Sequence, residues 1–405
     1  MDLEFKSVIK MKTTGVLLLS LLIFGSVLSH AHDATVDRVS HTCIHNKLAK
    51  EHKAQVMEDH EIGPKLHAGH YQFKNDIVGE KHQNQFHARH MAEDPNTAVD
   101  GWHQIRIFLD FSVANRFAAS QPTVQSRYEL AARLTQNVRN YFQNNLMVNY
   151  LTQMNFKGGS CYDNPIAAFT RPIDLYVVIN PENDQTTSYF AAATSCYLSP
   201  RDGRPTVGAY ILNFAFLKTT TLYQFLYFST FAHEFTHILG FSNDLFTRYV
   251  DLTTGAKLTN VISASTIISN DGTRSETFQF VITNDVVQYA RQYYNCPTLK
   301  GVPLENDGGE GSAGSHWEKL FLPTEYMNPT VENPGIISEF TFSFLRGTGW
   351  YKTRIGSAQY YDWGAGAGCN FHRICPQTTT GSYCKTAEIG QRVCSSEYYS
   401  KVRLE

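Results

Sequence analysis

Residues 219–240 read TTTLYQFLYFSTFAHEFTHILG, and the pair His233 and His237 within them decides how the rest of the chain is read. On an α-helix, residues four apart lie one above the other on the same face, so two imidazoles reach a single metal ion. Glu234, one step round from His233, stands beside the ion's open position rather than among its ligands, where it can take a proton from water. Leu222, Phe225, Leu226, Phe231, Phe235, Ile238 and Leu239 recur at helical spacing, the threonine run offers an N-cap, and Gly240 suits the left-handed position after the last turn. The pattern predicts a buried helix.

The arrangement H-E-x-x-H is the one zinc peptidases use; the blander reading is two core histidines satisfied by hydrogen bonds. A catalytic zinc takes three protein ligands and keeps one position open, so a third donor is needed. Sixteen histidines occur in the chain, twelve of them at or before His103, which leaves only His316 and His372 beyond the helix. His372 sits among late cysteines, where local bridges would constrain it. His316 follows a glycine-rich run, GGEGSAGSHW, and precedes Met327 by eleven residues. His316 is favoured, with Glu318 as the carboxylate alternative. The glycines do not make a phosphate loop, since no Lys-Ser/Thr follows them.

At 405 residues, with 42% apolar and 18% charged residues, the chain has the composition of globular protein. A net charge of −2 offers no basic field for nucleic acid. Eight cysteines, crowded late at Cys369, Cys375, Cys384 and Cys394, suggest local disulfides and an oxidising compartment. Residues 13–28, TTGVLLLSLLIFGSVL, are preceded by lysines and followed by Ser29-His30-Ala31, the pattern of a secretory signal peptide. Residues 32–98 are polar, histidine-rich and without hydrophobic periodicity, so they build no core of their own. Cys43, in SHTCIHNK, lies far from the other seven cysteines. It is either half of a distant disulfide or, if the segment is a removable propeptide, a thiolate that binds the zinc until cleavage.

The packed protein begins near Trp102. Ile105 to Phe111 alternates as a strand, Arg127 to Val148 carries a helical stripe, and Ile173 to Asn180 is a buried-strand run ending at Pro181. Ser188 to Leu198 and Val207 to Leu212 read as two further strands. The order β, α, β, β, β and then the zinc helix describes an α+β fold in which a twisted mixed sheet rests on helices. A Cys161–Cys196 disulfide would staple the sheet. After Gly240 comes an inserted subdomain, with a strand from Thr277 to Thr283 and a helix from Asp285 to Tyr294 capped by Asn284.

HEFTHILGFS, the long insertion ending in GSAGSHW, and EYMNPT together resemble the leishmanolysin family of zinc metalloendopeptidases, a branch of the metzincin clan. TSCYLSPRDGRPTVGAYILN and SHTCIHN resemble further stretches of that family, so the likeness runs from about Cys43 to Trp363. The compact metzincin motif would place its last histidine at position 243, which is Asn243 here; in leishmanolysin-type chains an insertion separates glycine from third histidine, as in this sequence. The resemblance implies one catalytic Zn2+ held by His233, His237 and His316, with Glu234 as general base, Met327 in the methionine turn beneath the metal, Gly240 ending the helix, and Cys43 as a cysteine switch. From composition alone Met327 would be core filler.

These readings divide the chain into a signal peptide (1–31), a propeptide with the cysteine switch (32–98), an N-terminal catalytic subdomain (99–240), the inserted subdomain (241–315), a part with third ligand, Met-turn and C-terminal helix (316–365), and a Cys-containing tail (366–405). The expected protein is a secreted or cell-surface metalloendopeptidase made as a zymogen and acting on protein or peptide substrates. The family also implies membrane association through a glycolipid anchor and a role in adhesion; the ending SEYYSKVRLE carries no hydrophobic tail to support the anchor. Seven cysteines remain once Cys43 is set aside, so one thiol is free or further cysteine-rich sequence follows. Nothing in the chain specifies an oligomeric state. Two other classes stand beside the enzyme: a catalytically silent adhesion or binding protein of the same family, and a secreted metal-binding protein built on the histidine-rich front.

Overall fold

Two apolar runs, Leu175–Glu182 and Pro205–Asn213, pair in parallel at the heart of a five-stranded sheet. Both are buried on their two faces, as strands flanked by structure on each side must be. Ile107–Asp110 adds in parallel on one side and Ala191–Leu198 antiparallel on the other, with Gln55–Val56 outermost in parallel, giving a mixed sheet. The computed structural model describes residues 41–58, 101–149, 153–269, 272–307, 309, 312–331, 334–369 and 371, and the backbone of four short strands between 380 and 403. The expected leader at 1–31, the rest of 32–98, His372 and Cys375, and the side chains of Cys384 and Cys394 lie outside the described residues.

The period-two alternation of a strand sorts the sheet's side chains between two layers. On one face Tyr176, Val178, Val207 and Ala209 pack with Met154, Phe156, Ile166 and the Cys161–Cys196 disulfide. On the other lie the helices Gln125–Asn145 and Gln224–Leu239, joined through stacked Phe142 and Phe235 with ring centroids 5.6 Å apart. Gly208 is needed there: a Cβ on it would come within 2.6 Å of Ile238 Cγ2, so only glycine lets strand and helix approach this closely. A second sheet places Leu146–Asn149 between Trp102–Gln104 and Tyr351–Thr353. The insertion folds as a sheet of Ile262–Ile268, Ser275–Val281 and Val302–Pro303 with the helix Asn284–Tyr294.

Several expectations are corrected. The 127–148 helix stops at Asn145, because Leu146 and Val148, two apart, enter the second sheet. The strand expected to end at Pro181 runs on to Glu182; its partner on one side reaches only Val178, so the missing N–H of Pro181 costs no ladder bond there. The helix bearing His233 and His237 begins at Gln224 after a tight turn at Thr221–Tyr223, without a threonine cap, and Leu222 and Phe225 are exposed rather than part of its buried stripe. Asn284 is the first residue of its helix, not the cap. Cys369 pairs with Cys296, 73 residues earlier, rather than with a neighbouring late cysteine.

Candidate metal centre

The helix bearing His233 and His237 ends at Gly240, whose φ of 138° is open to glycine and strained for other residues. The reversal there brings the Phe241 carbonyl back to accept the Nδ1–H of His237 at 2.6 Å. His233 donates its Nδ1–H to the Tyr326 carbonyl at 2.6 Å, and His316 donates to the Ser312 carbonyl at 2.7 Å. Because a carbonyl can only accept, each of these bonds fixes the tautomer and leaves Nε2 as a bare lone pair.

His316 is carried to the helix by a hairpin. Leu304 and Trp317 form an antiparallel bridge, the Glu305 amide donates to the His316 carbonyl, and the Gly314 amide to that of Glu305. Ser315 Oγ accepts from the Asn243 amide, so position 243 anchors this hairpin instead of supplying an imidazole.

The three Nε2 atoms and the Cys43 sulfur all lie within 4.8 Å of one another, fully buried. His233 Nε2 is 3.1 Å from His237 Nε2 and 3.3 Å from His316 Nε2, and Cys43 Sγ is 3.3 Å from His237 Nε2. Burial pushes His233 down to about 3 and His237 and His316 well below the usual imidazole range, so protons do not separate these lone pairs at neutral pH. Lone pairs facing at such distances repel unless a cation lies between them. A tetrahedral ion with N–metal bonds of about 2.0–2.1 Å sets its nitrogens roughly 3.3–3.4 Å apart, so the donor set fits an ion of zinc's size and coordination.

Glu234 is fully buried beside this cluster, its carboxyl pushed well up by burial. Its Oε1 is hydrogen-bonded to His41 Nε2 at 2.8 Å, while Oε2 has no hydrogen-bond partner among the described residues. Met327 is fully buried; its amide donates to Glu325 and its carbonyl accepts from the Trp317 amide. Glu318 stands outside the cluster, accepting from the Leu320 amide.

The segment bearing Cys43 runs past the cluster. His41–Thr42 pairs antiparallel with Thr330–Val331, the Thr42 amide donates to the Ser188 carbonyl, and the Cys43 amide to that of Pro329. The helix His45–Glu51 follows, with Leu48 against Tyr189, Ala192 and Ile211. His45 donates Nδ1–H to the Ala193 carbonyl at 2.8 Å and stacks on His237 with centroids 4.0 Å apart. Sequence reasoning gave no role to His41, His45, Glu325 or Tyr326. The signal for the first two was present, since both flank Cys43 at a spacing of two in SHTCIHN.

A family model described as leishmanolysin matches residues 159–402, a stretch that holds the three histidines, Glu234 and Met327 and begins after Cys43. The chain is similar to a leishmanolysin-like peptidase of Drosophila melanogaster, 31% identical over 167 residues covering 35% of this chain and 24% of the relative. It is likewise similar to leishmanolysin of Leishmania tropica, 29% identical over 199 residues covering 49% and 27%. The ciliated left-right organizer metallopeptidase of Xenopus laevis is 29% identical over 208 residues, covering 50% and 28%. The matches thus span about a quarter of the length of these relatives.

Proposed function

The chain belongs to the leishmanolysin family, and from that footing we propose that it is a zinc-dependent metalloendopeptidase, made as a zymogen and passed through the secretory pathway. The observation that carries this reading is the convergence of three bare Nε2 atoms, each with its Nδ1 proton committed to a carbonyl, beside the buried carboxylate of Glu234. His233, His237 and His316 would hold the ion. When bound, zinc supplies Lewis acidity, lowering the pKa of water to about 7 and polarising the scissile carbonyl.

Glu234 accepts the proton of the attacking water on a carboxylate oxygen and delivers it to the leaving amine. Met327 and its turn support the His233 face, because the carbonyl of the preceding residue orients that ring. The substrate lies extended along Ala191–Ser195, the part of the strand Ala191–Leu198 which Gln55–Val56 leaves unpaired on its outer side, and takes the main-chain hydrogen bonds offered there. Cys43 Sγ at 3.3 Å from His237 Nε2 and His41 Nε2 at 2.8 Å from Glu234 Oε1 support the zymogen reading, since both would stand where water and substrate must enter. The buried disulfide Cys161–Cys196 and the Cys296–Cys369 bridge suit an oxidising compartment, and no described helix is long and apolar enough to cross a membrane.

The test is zinc content together with hydrolysis of a denatured protein substrate by the full chain after treatment with a mercurial that captures the Cys43 thiol, beside the same chain with Glu234→Ala. One zinc in both and turnover only in the unmodified chain is the expected result. Zinc in both without turnover in either assigns the protein to the silent binding class, and lack of zinc overturns the reading.

A further inference from the structure

His316 lies 79 positions after His237, yet its Nε2 reaches within 3.3 Å of His233 Nε2. Chain connectivity does not hold a ligand to such tolerance across an inserted subdomain, so some local structure must fix the two ligand-bearing segments against each other. The stretch Glu325-Tyr326-Met327 makes the bonds that do so.

Tyr326 touches the helix twice. Its carbonyl accepts from His233 Nδ1 at 2.6 Å, and its hydroxyl is hydrogen-bonded to Thr236 Oγ1 at 2.8 Å. The Met327 carbonyl accepts from the amide of Trp317, the residue after His316, at 3.0 Å. Glu325, 1% exposed, accepts from the Met327 amide at 2.6 Å, from Ser338 Oγ at 2.8 Å and from Thr341 Oγ1 at 2.6 Å. Thr341 Oγ1 in turn accepts from the Trp317 indole Nε1 at 2.9 Å. Both polar ends of Trp317 therefore lead back to one carboxylate, through the Met327 backbone on one side and Thr341 on the other.

We propose that Glu325 is the positioning residue of this metal centre, holding the Met327 turn and the Trp317 ring in a single network so that His316 meets the pair on the helix. The inference rests on the assignment of His233, His237 and His316 as ligands. A carboxylate suits the place because it accepts three donors at once without donating. Glutamine has one acceptor oxygen, and its NH2 must face either the Met327 amide or the two hydroxyls. With the amide, donor meets donor; with the hydroxyls, the Thr341 proton is turned away and the acceptor of Trp317 Nε1 is disturbed. Partners that orient ligands typically alter metal affinity by about 10–100-fold when changed.

A buried carboxylate can also serve folding alone, here by bracing Ser338, which caps the helix Glu339–Gly347 through its bond to the Phe340 amide. The two roles separate in the full chain. Glu325→Gln and Ser338→Ala are compared with the unmodified protein for melting temperature, zinc retention against a competing chelator, and the visible absorption of the cobalt-substituted form.

The expected result is a roughly 10–100-fold weaker hold on zinc and an altered cobalt spectrum in Glu325→Gln, with Ser338→Ala lowering the melting temperature and moving neither. A Glu325→Gln chain that melts early but holds zinc as tightly, with an unchanged spectrum, overturns the inference. Should that variant not fold, Thr341→Val, which removes the link to Trp317 Nε1, carries the same expectation and the same refutation. An unmodified chain that takes up no metal overturns the ligand assignment itself, and the inference with it.

Discussion

His41 Nε2 lies 2.8 Å from Glu234 Oε1, with both side chains wholly buried. The same segment that aims the Cys43 sulfur at the imidazoles thus also occupies the carboxylate beside them. The thiol faces both the imidazoles and Glu234, whereas His41 bonds Glu234, so removing the thiol leaves the His41 bond to be tested by itself.

Latency is expected to survive in part when the thiol alone is removed. Burial lowers His41 to about 3 and pushes the Glu234 carboxyl well up, so the bond joins neutral partners. Such a bond contributes about 0.5–1.5 kcal/mol, roughly 2–10-fold in an equilibrium. Without any activator, the full chain carrying both Cys43→Ala and His41→Ala should hydrolyse peptide roughly 2–10-fold faster than Cys43→Ala alone. Equal initial rates would show that the His41 bond plays no part in latency.

Metal removal should destabilise the whole centre, since three lone pairs and a thiol then face one another without a cation. Stability gained from a ligand that binds only the folded state grows with ligand concentration over its Kd, by about 2.7 kcal/mol at a hundredfold excess. Chelation is expected to lower the melting temperature by several degrees, and added zinc to restore it. Glu234→Ala should show the same shift, because that carboxylate is not among the four converging donors. A melting temperature indifferent to chelator, with metal shown to be gone, contradicts this.

Asp174 sets an acid limit away from the metal. Burial alone would raise its carboxyl, but hydrogen bonds from His103 and Arg106 prevail and hold it at about 2. A depressed carboxyl stabilises the fold above its unfolded pKa, and that stability is lost as pH falls from about 4 through about 2. The shift corresponds to about 2 kcal/mol. Denaturant titrations of Asp174→Asn should therefore lose about 2 kcal/mol less than the unmodified chain between pH 5 and pH 2. Parallel pH dependences would remove Asp174 from the account.

Gly240→Ala tests the helix end. The position needs a positive φ, and a Cβ there would lie 2.9 Å from Trp350 Cζ3. Strain and displacement together should cost about 1–3 kcal/mol. Because the Phe241 carbonyl depends on this reversal to hold His237, bound zinc should fall along with the denaturant midpoint. Full metal content in a destabilised protein would separate the turn from the centre.

The metal helix was legible because its chemistry is local: two histidines four apart and a glycine just past the last turn require only helical geometry. Buried strands such as Leu175–Glu182 were legible for the same reason, as continuous apolar runs of strand length. Leu146 and Val148 misled because two-residue spacing after a helical stripe fits either period, and only their partners at Trp102–Gln104 and Tyr351–Thr353 decide. Leu222 and Phe225 misled because spacing gives a face, while burial depends on whether anything covers it. Ile262–Ile268 was missed because its alternation of apolar and polar residues runs only from Ile262 to Ser265 before Thr266-Ile267-Ile268 breaks it.

The sequence by itself determined the helix pair, its neighbouring carboxylate and a short choice of third donors, since each follows from residue type and spacing along one element. Tertiary structure alone decided that His316 joins the pair while Glu318 does not. It also decided that Cys296 bridges to Cys369, that His41 reaches Glu234, and that Glu325 links the turn to Trp317. The histidine, disulfide and His41–Glu234 partners are separated by 73 to 193 residues, and contacts of that range are set by how sheets and loops pack, which no local periodicity encodes. The Glu325 bonds span only 2 to 16 residues, but they cross an irregular turn that has no period to read.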